Sequence, residues 1–145
     1  MPGDKFFMDT NIMVYHAINQ DPRKRDISSK LVNRAIVEGC GLISYQVVQE
    51  CVQVLLTDNK TPLPPTLLET YLSKVLLPLC LTHSTQQLYL SAFAVKMRYG
   101  LHWYDSLIVA AALEAGCNVL YTEDLQNIKE SYPKINTVTV FYNML

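Results

Sequence analysis

Short apolar runs alternating with apolar residues at helical spacing constrain this chain more than any other feature, because that alternation folds as a parallel α/β sheet. The first run, Lys5-Phe6-Phe7-Met8, is aromatic and stops at Asp9-Thr10-Asn11, residues that favour turns and caps. It reads as a buried strand followed by a βα turn. After Pro22, Ile27, Leu31, Val32, Ala35 and Ile36 give a helical face over Arg23 to Glu38, ended by Gly39 and Gly41. Gly41-Leu42-Ile43-Ser44 is the second strand candidate, and Val47, Val48, Cys51, Val52, Leu55 and Leu56 form the stripe of the next helix, with Glu50 at its border.

The second half continues the pattern. Pro62, Pro64 and Pro65 make the Lys60 to Pro65 stretch a bent surface loop and not a domain boundary. Thr66-Leu67-Leu68-Glu69 and Ser84-Thr85-Gln86-Gln87 match the capping-box spacing, so two helices are expected to start there. Pro78 to Leu81 is a short strand candidate between them, and the second helix is expected to run through Leu88, Ala92, Val95 and Tyr99 to Gly100. From Tyr104, Leu107, Ile108, Ala111, Ala112 and Ala115 form a dense apolar face that ends at Gly116. Asn118-Val119-Leu120-Tyr121 is a buried strand with Thr122-Glu123-Asp124 as its polar exit, and Thr137 to Tyr142 is a last strand.

At 145 residues with half of them hydrophobic, the chain suits one domain spanning 1–145 with one core. Charged residues make up 17% and the net charge is -1, so no general pull toward nucleic acid exists and any such contact needs local patches. Cys40, Cys51, Cys80 and Cys117 contain no CxxC pair and lie among apolar neighbours, as buried reduced thiols do, which places the protein in a reducing, cytoplasmic compartment. No apolar stretch approaches the ~20 residues that cross a bilayer, and the N-terminus lacks a signal-like apolar run.

Four acids stand where such a sheet would gather them. Asp9 and Asp124 each follow a strand, Asp105 opens a helix and Glu50 lies in the early turns of another. Side chains at the carboxyl ends of parallel strands converge on one crevice however far apart they are in sequence. Hard cations such as magnesium prefer oxygen ligands and are commonly held by one or two carboxylates plus water and substrate phosphate. Without a cation the cluster is repulsive, each acid raising the others' pKa. Taken singly, Asp9 or Asp105 could serve as helix caps, Glu50 as a solvated helix residue, and Glu123 or Asp124 as turn formers.

Phe6-Phe7-Met8-Asp9-Thr10-Asn11-Ile12, Gln49-Glu50, Trp103-Tyr104-Asp105-Ser106-Leu107-Ile108 with the Val109 to Ala112 run, and Leu120-Tyr121-Thr122-Glu123-Asp124-Leu125-Gln126 stand in the order found in PIN-domain ribonucleases, and the chain resembles the VapC toxin type over essentially its whole length. The resemblance implies a three-layer α/β/α sandwich around a mainly parallel sheet, a homodimer, and metal-assisted RNA hydrolysis with magnesium or manganese. It makes Asp9, Glu50, Asp105 and Asp124 the catalytic, metal-binding acids, with Thr10, Asn11 and Thr122 orienting water or carboxylates. Glu123 offers a second carboxylate beside Asp124, and Asp124 is the favoured ligand of the pair. RNA is the implied substrate and a small antitoxin the implied partner. The rival function is an inactive PIN-like module that only binds RNA or protein.

Other chemistries fare worse. A dehalogenase-like phosphatase needs a second aspartate two residues after the first, where this chain has Asn11, and no glycine-rich phosphate loop occurs. Arg23-Lys24-Arg25, Lys96 with Arg98, and Lys129 with Lys134 are the candidate phosphate contacts, each equally explained as a solvated face. Tyr99, Trp103 and Tyr104 could stack unpaired bases, though a core or dimer-interface role suits them better. His16, His83 and His102 have no zinc-ligand spacing.

Overall fold

Phe6, Phe7 and Met8 are wholly buried, and together they form strand β1 (Phe6–Met8), the middle one of the five strands among the described residues. A strand covered on both faces reads as a continuous apolar run, which is why β1 shows no alternation. The computed structural model describes residues 5–58, 60–123 and 136–139. Following β1 come α1 (Thr10–Ala17), α2 (Pro22–Glu38), β2 (Gly41–Ser44) and α3 (Tyr45–Thr57). Then α4 (Pro65–Tyr71), a π-helical turn (Leu72–Leu76), α5 (Leu77–Leu79) and β3 (Cys80–Thr82) lead to α6 (Gln86–Tyr99), α7 (Trp103–Glu114), β4 (Val119–Thr122) and β5 (Asn136–Thr139).

The strands lie in the order β3-β2-β1-β4-β5 and every neighbouring pair is parallel. The chain steps outward from β1 to β2 and β3, then crosses back to place β4 and β5 on the other side of β1. Right-handed crossovers put the helices of the two directions on opposite faces. In keeping with this, α1 packs with α2 and α3, while α6 packs with α7. The result is the three-layer α/β/α sandwich, and the order of strands reverses between β1 and β4.

Residues Ser106 to Ala112 of α7 are all buried, as a helix that is apolar on every side must be. Gly41 allows β2 to pass the core closely: a Cβ there would lie 2.5 Å from Ala35 Cβ and from the Phe6 ring. Gly39 and Gly100 end α2 and α6 with φ of 68° and 70°, the left-handed conformation that glycine adopts without steric cost. Among the described residues, no helix is long and apolar enough to cross a membrane.

Several expectations need correction. Asp9 leads directly into a helix, α1, where only a turn was expected; Ile12, Met13 and Val14 are all buried, so their apolar run carries no helical period. Neither capping box forms. α4 starts at Pro65, whose fixed φ suits a first helical position, and Thr66 lies inside the helix, while α6 is capped by Thr85, whose hydroxyl accepts from Leu88 N, and not by Ser84. Pro78 belongs to α5, so the strand begins two residues later at Cys80. Thr122 is a buried strand residue and not part of the exit. Cys40 is half-buried, whereas Cys51, Cys80 and Cys117 are buried, and all four are free thiols. The last strand expected over Thr137 to Tyr142 is present as Asn136–Thr139, and its remainder lies outside the described residues.

Candidate metal centre

Asp9 stands at the carboxyl end of β1, beside the point where strand order reverses, which is where open α/β sheets bind ligands. Its backbone N–H donates to Tyr121 O of β4 at 3.0 Å, and its side chain has one partner for each oxygen. Oδ1 accepts from Thr10 N at 2.7 Å and Oδ2 from Thr122 Oγ1 at 2.8 Å. The carboxylate that caps α1 is the same one that lines the cleft, so capping and cleft exposure coexist.

Glu50 and Asp105 reach the crevice from other elements. Glu50 on α3 accepts from Thr10 Oγ1 at 3.2 Å and from Gln46 Nε2 at 2.6 Å, and Gln46 Nε2 also lies 3.3 Å from Tyr104 O. Asp105 is in the first turn of α7, where its charge suits the helix dipole, while the N-cap position belongs to His102. Asp9, Glu50 and Asp105 line one cleft of about 360 Å³ together with Thr10, Asn11 and Tyr104.

The electrostatics register that convergence. The Asp9 carboxyl keeps only an edge open to the cleft, and its pKa is pushed up from 3.8 to about 6. Burial is the largest cause; the hydrogen bonds from Thr10 and Thr122 oppose it, and the charges of Glu50 and Asp105 add to it. Asn11 contributes a further unspent group, since its Oδ1 is buried with no hydrogen-bond partner among the described residues.

These donors are all oxygen, the set a hard cation prefers. Among the described residues no three histidine, cysteine, aspartate or glutamate side chains close into a ready-made metal cage. Hydrogen bonds to threonine and glutamine occupy the oxygens of Asp9 and Glu50. The residues fit magnesium's looser mode, in which waters and substrate complete the shell.

The fourth acid, Asp124, lies outside the described residues, as do Lys129 and Lys134. Glu123 is described, and it is committed elsewhere: Lys24 Nζ pairs with its Oε1 at 2.5 Å and Tyr15 Oη donates to it at 3.2 Å. Lys24, one of the candidate phosphate contacts, spends its charge there. Sequence reading missed Gln46 and Tyr15; Gln46 stands one helical turn before Glu50, a spacing that could have flagged it.

His16, His83, Cys51 and Cys117 are not in the lining of the cleft. His16 Nδ1 lies 2.9 Å from Tyr71 Oη, which donates to Met13 O at 3.0 Å, and His83 packs edge-on against Tyr45. Burial pushes the Cys51 thiol up to about 12 and Cys117 up to about 11, as befits inert core cysteines.

A family model for the PIN domain matches residues 6–130. No sequence among curated proteins matches the chain significantly. Among solved structures, the fold is similar to VapC20 from Mycobacterium tuberculosis, a sarcin-ricin loop cleaving toxin, at 18% identity and a TM-score of 0.65, covering 90% of this chain and 98% of that one. DNA-bound VapBC from Salmonella typhimurium is similar at 18% identity and TM-score 0.66, over 94% and 98% of the two chains. FitAcB from Neisseria gonorrhoeae gives 17% identity and TM-score 0.66, over 94% and 99%.

Proposed function

This chain belongs to the PIN domain family, and from that premise we propose that it is a divalent-metal-dependent endoribonuclease, the toxin half of a toxin–antitoxin pair. The observation that carries the proposal is the meeting of Asp9, Glu50 and Asp105, from three separate elements, in one cleft at the switch point of the sheet. Asp124 would complete the set as the strand-exit acid, because Glu123 is spent on Lys24 and Tyr15.

Magnesium or manganese held by these acids would lower the pKa of a water and polarise the phosphoryl group, which is the chemistry phosphodiester hydrolysis needs. The chain's own residues prepare for it. Thr10 N and Thr122 Oγ1 fix the rotation of the Asp9 carboxylate, and Thr10 Oγ1 with Gln46 fixes Glu50. Such supporting hydrogen bonds hold metal ligands in the orientation binding requires. Asn11 Oδ1, buried and without a hydrogen-bond partner among the described residues, would orient a water.

The solved VapBC and FitAcB assemblies of the same fold support a small antitoxin as partner, and a homodimer acting in the cytoplasm accords with this reading. One observation favours the rival, a binding-only module: the described acids do not close into a cage by themselves. The deciding experiment incubates purified protein with a mixed pool of structured RNAs and manganese or magnesium, beside chelator, Asp9→Asn and Asp105→Asn controls. Cleavage lost in all three controls is expected. Cleavage that survives both substitutions would overturn the site; no cleavage, with no manganese binding by calorimetry, would establish the binding-only module.

A further inference from the structure

The acid-lined cleft has a neighbour. A second hollow of about 240 Å³ opens at the carboxyl ends of β2 and β3, with the buried hydroxyls of Ser44 and Thr82, the amide of Gln49 and the rings of Tyr89 and Trp103 in its wall. Gln46 and Tyr104 line both hollow and cleft and so form the divide between them. Tyr104 is 67% exposed and Tyr89 47%, so their rings are open to a ligand.

The chemistry of this hollow differs from that of the cleft. Among the described residues no aspartate, glutamate, lysine, arginine or histidine lines it, so those residues offer a phosphate or carboxylate no counter-charge. Its size falls below the ~300 Å³ at which drug-sized pockets begin, which suits a single ring system. Aromatic faces beside uncharged donors and acceptors are how proteins hold unpaired bases. Gln46 spends its Nε2 on Glu50 and Tyr104 O, which leaves its Oε1 as an acceptor.

We propose that this hollow holds one unpaired nucleobase of an RNA strand whose backbone crosses the acid-lined cleft, with the rings of Tyr89, Trp103 and Tyr104 as its aromatic wall and Gln46 and Gln49 as edge contacts. The path of the strand rests on the nuclease reading above, whereas base capture does not need catalysis. Gln46 would then couple the two, since one amide touches both the captured base's pocket and the Glu50 carboxylate. The site would select for a base at a fixed step from the scissile phosphate.

Trp103 is the only tryptophan of the chain, so its fluorescence reports the hollow directly. With chelator present to prevent cleavage, the full chain is titrated with single-stranded RNA of about ten nucleotides and with an abasic strand of equal length, a length within known single-strand site sizes. Saturable quenching by the RNA is expected, with about tenfold weaker binding of the abasic strand, as the loss of a stacked base predicts. Tyr89→Ala and Gln49→Ala, both at exposed positions, should each weaken RNA binding severalfold while leaving the circular dichroism unchanged. Equal quenching by both strands, or binding unmoved by either variant, overturns the pocket. Metal-dependent cleavage is scored separately: base-dependent quenching with neither cleavage nor manganese binding keeps the pocket and removes the nuclease, and cleavage with base-indifferent quenching does the reverse.

Discussion

Asp9→Asn should make the protein more stable at neutral pH, and the gain should vanish in acid. The unfolded chain releases this proton near 3.8 and the folded chain only near about 6. Between those values unfolding releases a proton, so rising pH favours the unfolded state, and above about 6 the full penalty is carried. At about 1.4 kcal/mol per pH unit the difference amounts to about 3 kcal/mol. Asparagine mimics the protonated carboxyl: its Oδ1 can still accept from Thr10 N, and its Nδ2 can donate to Thr122 Oγ1. Allowing about 1 kcal/mol for weaker bonds and for the edge that Asp9 keeps in solvent, a net gain of about 1–3 kcal/mol remains. Urea unfolding of both proteins near pH 7 and near pH 4 measures it, because the linkage confines the gain to the higher value. The reasoning fails if the variant is less stable at neutral pH, or if its advantage is the same at both. Glu50 and Asp105 are the acids whose charge contributes, so added manganese should stabilise the parent more than the variant.

Other perturbations follow from the same geometry. Thr122→Val keeps the shape of a buried residue but removes the hydroxyl that lowers the Asp9 pKa; calorimetry should show manganese affinity reduced about 10–100-fold with the fold retained. Gly41→Ala drives a Cβ against Ala35 and Phe6 in the core, and thermal unfolding should reveal a loss of about 3 kcal/mol, at the upper end for overpacking. Lys24→Met removes the pair with Glu123, whose two side chains remain 30% and 24% exposed, so denaturation should detect at most about 1 kcal/mol.

The strands and the three described acids were legible because their signals are local. A run such as Phe6-Phe7-Met8 ended by Asp9 has few alternatives once both faces of the sheet are covered. Helix α1 was hidden for the opposite reason: burial on nearly every side erases the periodicity by which a helix is recognised. The capping boxes misled because spacing alone cannot tell whether Pro65 has already started the helix one residue earlier. Within the site, Thr122 was expected from family resemblance, but its bond to Asp9 spans 113 positions and Gln46's bond to Tyr104 spans 58. Contacts of that range depend on register, which no local pattern carries.

Because β1 is the first of the described strands and takes β4, more than a hundred residues further on, as its partner, the cleft has a place in the order of synthesis. A growing chain can pair β1 with β2 early, yet Asp9 then lacks both the Tyr121 carbonyl and the Thr122 hydroxyl, and Asp105 is also still to come. Long-range parallel pairing is slow compared with local helix formation. A growing chain thus holds Asp9 and Glu50 without the partners that fix Asp9 or the third acid that shares their cleft until α7 and β4 have folded into place.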